Sequence, residues 1–572
     1  MALKIPNNRQ HLAEWSKELI DECMGSASER GMIYTKAAQY YYTGTSDSKA
    51  AIYNKTKAFI DKLAGFLMQP TDVRFNVVFD SGEPESVLAR AQLVSEKLSA
   101  DFKQTDSDVS FAETVIWSLV NGCHLLKTLP DGDGGSFKVA PVHPQNFGVL
   151  SETTLALDEQ EAFCHVSFPT LTQMRTMLKD HPRAKEWMAR IEEARPTERD
   201  EMEPTYFHSM VVGGLQPLGQ VGELPSAAGI VNVFPTPVPW KPNHKFNPTV
   251  RLCEVWIQDR DRGDYTTLQA VYGADPIIIE GEETRRNLSR VPGKSPFTKV
   301  QSQQTPGYFF GRSMIADVQM LQDLLNKRLR DIAIMWDRNV NAPQLLSGFT
   351  GVTEESYFKL LNEGGFLADP NPNAKAQKLL EPPPENYLEE LQFLFQLFDE
   401  ASGFSPVMSG QGEPGVRAGV HAQTLVRTSG GRLIDQAARI ERQLGEVGYL
   451  ALKVMQAMDA LVYTTDTGTD FLLSHLPGNF AVEVDSHSAS PAFAEDNRQV
   501  AIALARANAI DSEDLIHMLH PPGAQLLLAR LRERKKAQAK QAQQEEQKEL
   551  IEGVLGFPQG GRKGAGGRKP KQ

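Results

Sequence analysis

One pattern constrains the fold of this chain more than any other. Starting at Leu433, apolar residues recur at Ala437, Ile440, Leu444, Val447, Ala451, Val454, Met458 and Leu461, in steps of four and three without a miss. A sustained 3.5-residue repeat makes one seam of an α-helix apolar and calls for a second helix packed along it. At ~1.5 Å per residue the helix would run roughly 45 Å, more than most small domains need. Gly445 and Gly448 lie inside it as candidate bend points. The period leaves the partner open, because an ordinary bundle helix satisfies the seam as well as a helix from another chain.

Other segments fill in an α+β, helix-rich chain. Ile52, Phe59, Leu63, Phe66 and Leu67 form a helical stripe that stops at Gln69-Pro70, and RFNVVF (74–79) alternates as a strand. A helix is expected from Phe111 to Val120, then two strands joined by a turn at Pro130 to Gly135. DGDGG within that turn lacks the later ligands of a calcium loop. Leu171 to Glu193 reads as helical, and segments 250–259 and 265–281 as neighbouring strands across a DRG turn. Ser313 is a natural N-cap for a helix with Ile315, Val318, Leu321, Leu325, Leu329, Ile332 and Trp336 on one face. A loop-rich stretch follows, then a shorter helix with Tyr387, Leu391, Leu394 and Phe398. Leu388, Phe393, Phe395 and Leu397 make that helix apolar nearly all round, so burial on more than one side is expected. FAVEVD (480–485) reads as a strand.

With 572 residues, 41% of them hydrophobic, the chain can bury a sizeable core, and global disorder is excluded. Its formal charge of −12 argues against a protein that grips nucleic acid over a broad basic surface. Two basic elements stand out against that balance. Arg417, His421, Arg427 and Arg432 punctuate a glycine-rich segment, and Arg562, Lys563, Arg568, Lys569 and Lys571 fill the C-terminal tail. Each reads equally well as a solvated loop or tail. Cys23, Cys123, Cys164 and Cys253 have no zinc or redox spacing, so reduced thiols in a protein made in a cytoplasm are expected. No apolar run reaches the ~20 residues of a membrane helix.

Chemistry is hard to find in the sequence. Gly293-Lys294-Ser295 resembles the end of a phosphate-binding loop, but Leu288 stands where its first glycine belongs and Pro296 follows at once. Gly403-Phe404-Ser405-Pro406-Val407 lacks the closing glycine of a nucleophile elbow. Neither His517 with His520 nor Asp485-Ser486-His487 has further partners that the sequence identifies. No catalytic residue, metal ligand or cofactor site is expected, and the chain reads as a structural protein rather than an enzyme. A multidomain enzyme with an unrecognised active site, or a virion scaffold or adaptor, are the alternatives.

The order of elements from Pro306 to Leu461 resembles the portal, or head-to-tail connector, proteins of tailed double-stranded DNA bacteriophages, nearest to the short-tailed type. The segment 306–313 (PGYFFGRS) and its long helix resemble the family's entry into a first stem helix. Asn341-Ala342-Pro343 and the loops after it resemble the exit into the clip. Tyr387 to Gly403 resembles the second stem helix, and Met408 to Gly419 the tunnel loop. Residues 46–79 and 482–519 resemble the wing and the approach to the crown, while 140–300 match nothing specific.

The resemblance implies a division into wing (1–305), first stem helix (306–343), clip (344–384), second stem helix (385–404), tunnel loop (405–421), long kinked wing helix and return to the wing (422–520), crown helices (521–555) and flexible basic tail (556–572). It further implies a homo-oligomeric ring, commonly of twelve subunits, at one capsid vertex of the virion and assembled in the host cytoplasm. Viral DNA is packaged and ejected through the channel, and the expected partners are the terminase large subunit, head-tail adaptor or tail proteins, and major capsid and scaffolding proteins, with no membrane. On this reading Arg417, His421, Arg427 and Arg432 are candidates to face channel DNA, and the tail could meet packaged DNA. Leu433, Ile440, Leu444, Val447 and Val454 would pack against the next subunit. The acidic balance then excludes a DNA clamp but leaves a DNA passage standing.

Overall fold

The computed structural model describes most of residues 3–193 and 250–348, all of 371–378, 386–403, 431–462 and 470–484, and parts of 353–359 and 501–535. The chain divides into two units, Met1–Ala492 and Phe493–Gln572. In the first, helices α1 (Arg9–Cys23), α2 (Ala27–Thr43) and α3 (Lys55–Leu67) precede strand β1 (Phe75–Phe79) and helices α4 (Glu85–Gln104) and α5 (Ser107–Asn121). Asn54 caps α3 by accepting a hydrogen bond from the Lys57 N–H at 2.9 Å. In β1, Phe75, Val77 and Phe79 are buried while Asn76 and Val78 are exposed, the alternation expected of a half-covered strand.

Two larger sheets follow, and the mixture of helices and small sheets makes this an α+β chain. Strands β2 (His124–Asp131) and β3 (Ser136–Val142) form the expected hairpin. A five-stranded antiparallel meander comprises β4 (Phe147–Val149), β5 (Ala162–Ser167), β6 (Leu252–Asp259), β7 (Asp264–Val271) and β8 (Ile277–Ile279). The 171–193 stretch holds two helices, α6 (Leu171–Met177) and α7 (Ala184–Glu193), rather than one. Strand β9 (Phe297–Val300) returns to pair with β2. The meander is covered on both faces. Cys253, Val255 and Ile257 of β6 pack in one cluster with Leu12, Leu19 and Ile20 of α1. Trp256 joins Phe147, Phe163, Phe297, Phe309 and Phe310 in another. Residues 140–300, which matched nothing by order of elements, thus contain the most aromatic part of the core.

Next come α8 (Ile315–Val340), a hairpin of β10 (Gln344–Ser347) with β11 (Lys375–Lys378), and α9 (Tyr387–Ser402). Helix α10 (Gly431–Ala457) carries the 3.5 repeat and leads to β12 (Leu461–Val462), β13 (Phe471–Leu472) and β14 (Phe480–Val484). Strand β14 pairs antiparallel with β1, so the last strand of this unit closes onto its first.

The structure corrects the reading of α10. Leu433, Ile440, Leu444, Val447 and Val454 are all buried within a single chain, none more than 2% exposed, so they cannot meet a neighbouring subunit. The seam lies against strands β2, β9 and β14 as well as helix α3, because a helix stripe packs on any apolar surface of matching width. Gly445 and Gly448 are not breaks, since α10 runs through both. A Cβ at Gly448 would lie 2.6 Å from the Phe75 ring, and one at Gly445 2.9 Å from the Val482 carbonyl oxygen. These glycines let the helix approach the β1–β14 ribbon closely. The helix ends at Ala457, and Leu461 lies in a strand.

In the second unit the described residues include a helical turn over 501–506 with Ala501 buried, and an ion pair between Lys535 and Asp511 at 2.5 Å.

Candidate functional site

The surface that stands out is the antiparallel pair α8 and α9. The entry to α8 is fixed by close backbone contact: Gly122 and Gly311 both have positive φ, and a Cβ on either would lie 2.7 Å from backbone of the other segment. The Met314 N–H donates to the Leu119 carbonyl at 3.0 Å, and the Ser313 hydroxyl accepts from the Ile315 N–H at 3.1 Å. Arg30, buried beneath this joint, donates to Glu152 at 2.7 Å and to the Phe147 carbonyl at 2.9 Å, with its guanidinium 3.7 Å from the centre of the Phe310 ring.

The first half of α8 is then bolted to the body by two buried amides one turn apart. Gln322 Oε1 accepts from the N–H groups of Lys55 and Thr56 at 3.1 Å each, while its Nε2 donates to the Tyr53 carbonyl at 2.7 Å. Asn326 Nδ2 donates to the Gly44 carbonyl at 2.9 Å, and Oδ1 accepts from the Tyr53 N–H at 3.2 Å. Sequence reasoning misses this joint; two amides at i and i+4 beside the apolar stripe are the signal that points to it.

Helix α9 returns alongside. The Tyr387 hydroxyl donates to the Arg328 carbonyl at 2.6 Å, Arg328 pairs with Glu390 at 2.8 Å, and Lys55 pairs with Asp399 at 2.7 Å. Leu394 and Phe398 are buried, and Phe398 meets Phe59 edge to face. From Lys327 onward no residue of α8 is buried. The expectation that α9 would be covered on several sides fails within the single chain, since Leu388 is 70% and Phe393 60% exposed. Met320, Trp336 and Val340 of α8 are also largely exposed. Exposed apolar residues concentrated on two paired helices mark an interaction surface.

Of the basic candidates, Arg417, His421 and Arg427 lie outside the described residues, as do Arg562, Lys563, Arg568, Lys569 and Lys571. Arg432 lies in the first turn of α10. The segment 408–419 that resembles a tunnel loop, the DGDGG core at 132–134 and the histidines 517 and 520 are likewise outside them.

A second feature is a cleft of about 810 Å³ where β2 and β3 meet β5, β6 and α6. Its lining includes Lys127, His165 and Glu254 among apolar side chains such as Leu129, Val166 and Phe168. Lys127 Nζ lies 2.6 Å from Glu254 Oε2, and His165 Nδ1 3.7 Å from the same oxygen. Burial alone would raise the Glu254 carboxyl, but Lys127 and His165 overcome it and hold it at about 2. Burial lowers His165 against the pull of Glu254. Nearby, burial lowers His143 to about 3 and His124 well below the usual histidine value. The His143 Nδ1 accepts from the Gln145 N–H at 3.2 Å, and its Nε2 lies 3.3 Å from the Asn121 Nδ2. The Lys127–Glu254 pair ties the two sheets together.

All four cysteines are free and buried. Among the described residues no group of three or more His, Cys, Asp or Glu could hold a metal ion, and no helix is long and apolar enough to cross a membrane.

No protein-family model matches the sequence, and no curated protein is significantly similar to it. Among solved structures the chain is similar to one described as the neck of a native GTA particle computed with C12 symmetry, at TM-score 0.37 and 10% identity, over 85% of this chain and 92% of that one. A likeness that distant leaves function open.

Proposed function

We propose that this chain is a virion structural protein of the portal type, a ring subunit through which double-stranded DNA passes during packaging and ejection. The observation that carries the reading is the α8–hairpin–α9 unit: two antiparallel helices rooted in an α/β body, with the hairpin between them and unpartnered apolar side chains along them. The resemblance supplies the names: α8 and α9 are the stem, β10–β11 the clip, and the body with α10 and the β1–β14 ribbon the wing. The chain works without catalysis of its own, and the terminase large subunit, tail adaptors, capsid and scaffolding proteins are its partners at one capsid vertex.

Electron microscopy of the purified protein tests this directly. Rings with a central hole, commonly twelvefold, are expected, and a monodisperse monomer would sink the reading. Arg417, with His421, Arg427 and Arg432 nearby in sequence, is proposed to meet DNA phosphate. Deleting 411–418 should leave rings intact and impair packaging or genome retention; unimpaired packaging removes the tunnel-loop role. The five cations of the tail are proposed to contact packaged DNA.

The cleft with its buried Lys127–Glu254–His165 group favours one second reading, an enzyme or ligand-binding protein, because perturbed ionisable groups in a concave site are typical of active centres. Turnover or ligand binding abolished by Glu254→Gln, in a chain that forms no rings, would select it.

A further inference from the structure

Each helix of the pair carries an outer stripe that the described residues leave largely uncovered. On α8, Met320, Leu324, Lys327, Asp331, Ile334 and Arg338 follow one another in steps of four and three. Met320 is 80% exposed, and Lys327 and Arg338 are also exposed. On α9 the steps recur at Glu389, Phe393, Gln396 and Glu400, every one exposed. Steps of this kind define a seam along which another helix packs.

The two stripes differ and complement each other. Helix α9 has the acids Glu389, Glu390, Asp399 and Glu400 and no base. The outer half of α8 carries Lys327, Arg328, Arg330 and Arg338 against Asp331 and Asp337. Two unlike, complementary faces on one molecule give a head-to-tail contact, which closes into a ring when the rotation permits.

The pairing within one chain sets the register. Tyr387 and Glu390 both contact Arg328, so those levels of α9 and α8 coincide. Counting away along two antiparallel helices of equal rise puts Glu389 level with Lys327, Phe393 with Leu324, and Gln396 with Met320. A rotation about a ring axis changes no atom's height along that axis. With the helix pair running along the axis, these levels therefore also hold between neighbouring copies.

Resting on the portal reading, we infer that the occupant of the α8 stripe is α9 of a second copy, with Glu389 paired to Lys327, Phe393 packed on Leu324 and Gln396 against Met320. Neither Lys327 nor Glu389 makes an ion pair within the chain among the described residues, so both are available.

The test uses the full chain. Ring yield at fixed concentration is measured by sedimentation and negative-stain microscopy for wild type, K327E, E389K and K327E/E389K. Each single reversal should weaken assembly by about tenfold or more, and the double reversal should recover it. Because both changed positions are exposed, circular dichroism melts of the variants should match wild type. Independently, L324C/F393C should give a ladder of cross-linked multimers on mild oxidation, against a low background from four buried native cysteines. Wild-type rings accompanied by unimpaired single variants and no ladder overturn this interface alone. A wild type that forms no rings at all overturns the portal reading, and this interface with it.

Discussion

Helix α10 and the α8–α9 pair present similar sequence patterns with opposite fates. Both display apolar residues in steps of four and three. In α10 every member of the seam from Leu433 to Val454 is buried in its own chain. On the paired helices the inner stripes are buried near the body, while the outer ones retain exposed Met320, Leu388 and Phe393. A hydrophobic period reports that a face needs covering, and the coverer is decided by what else the chain brings there. For α10 it is the β1–β14 ribbon, the β3–β2–β9 sheet and helix α3. For α8 and α9 the outer faces stay exposed among the described residues.

Substitutions should separate the two regions, the largest effect coming first. Leu444→Ala removes a fully buried side chain from α10 and should destabilise the folded chain by about 2–5 kcal/mol in urea denaturation. Gly448→Ala forces a methyl against the Phe75 ring and β14, and about 1–3 kcal/mol is expected, with the loss appearing first as faster hydrogen exchange in β1 and β14. If it were neutral, the close approach of α10 to the ribbon would be wrong.

Acid should act on the body rather than on the outer faces. His124 and His143 are held neutral by burial, below their unfolded value near 6.5, so the unfolded chain takes up protons first. This burial costs nothing above about pH 6.5, and stability declines as pH falls below it, down to about 3 for His143, by up to ~1.4 kcal/mol per pH unit for each histidine. Denaturation midpoints at pH 7.5, 6 and 5 check it, and His143→Asn should flatten the slope. The smallest effect sharpens the comparison most: Phe393→Ala should change the stability of the isolated chain by less than about 0.5 kcal/mol while weakening assembly. A cost equal to that of Leu444→Ala would erase the distinction between the two regions.

Much of the fold was legible in local pattern. The alternation in RFNVVF, the turn between β2 and β3, the DRG hairpin, the Ser313 cap and both helices of the pair appear where their residues put them. The meander was partly hidden because β6, buried on both faces, shows no alternation that distinguishes one side from the other. The split of 171–193 into α6 and α7 was missed because both helices have apolar stripes. The two bolts Gln322 and Asn326 lie beside the stripe of α8, and no local pattern names their partners. The Lys127–Glu254 tie joins strands 127 residues apart and could not be paired without the fold.

The sequence by itself determined where helices and strands form, since caps, turns and period act over a few residues. It also determined that the seams of α8, α9 and α10 each require a partner. Only the tertiary structure decided which seams find that partner within the chain. That outcome depends on contacts between segments far apart in sequence, such as β1 with β14 beneath α10, and Gly44, Tyr53 and Lys55 beside α8. No local pattern contains those distances. The same physics that hides Leu444 leaves Phe393 exposed, because a face stays open where no other described segment reaches it.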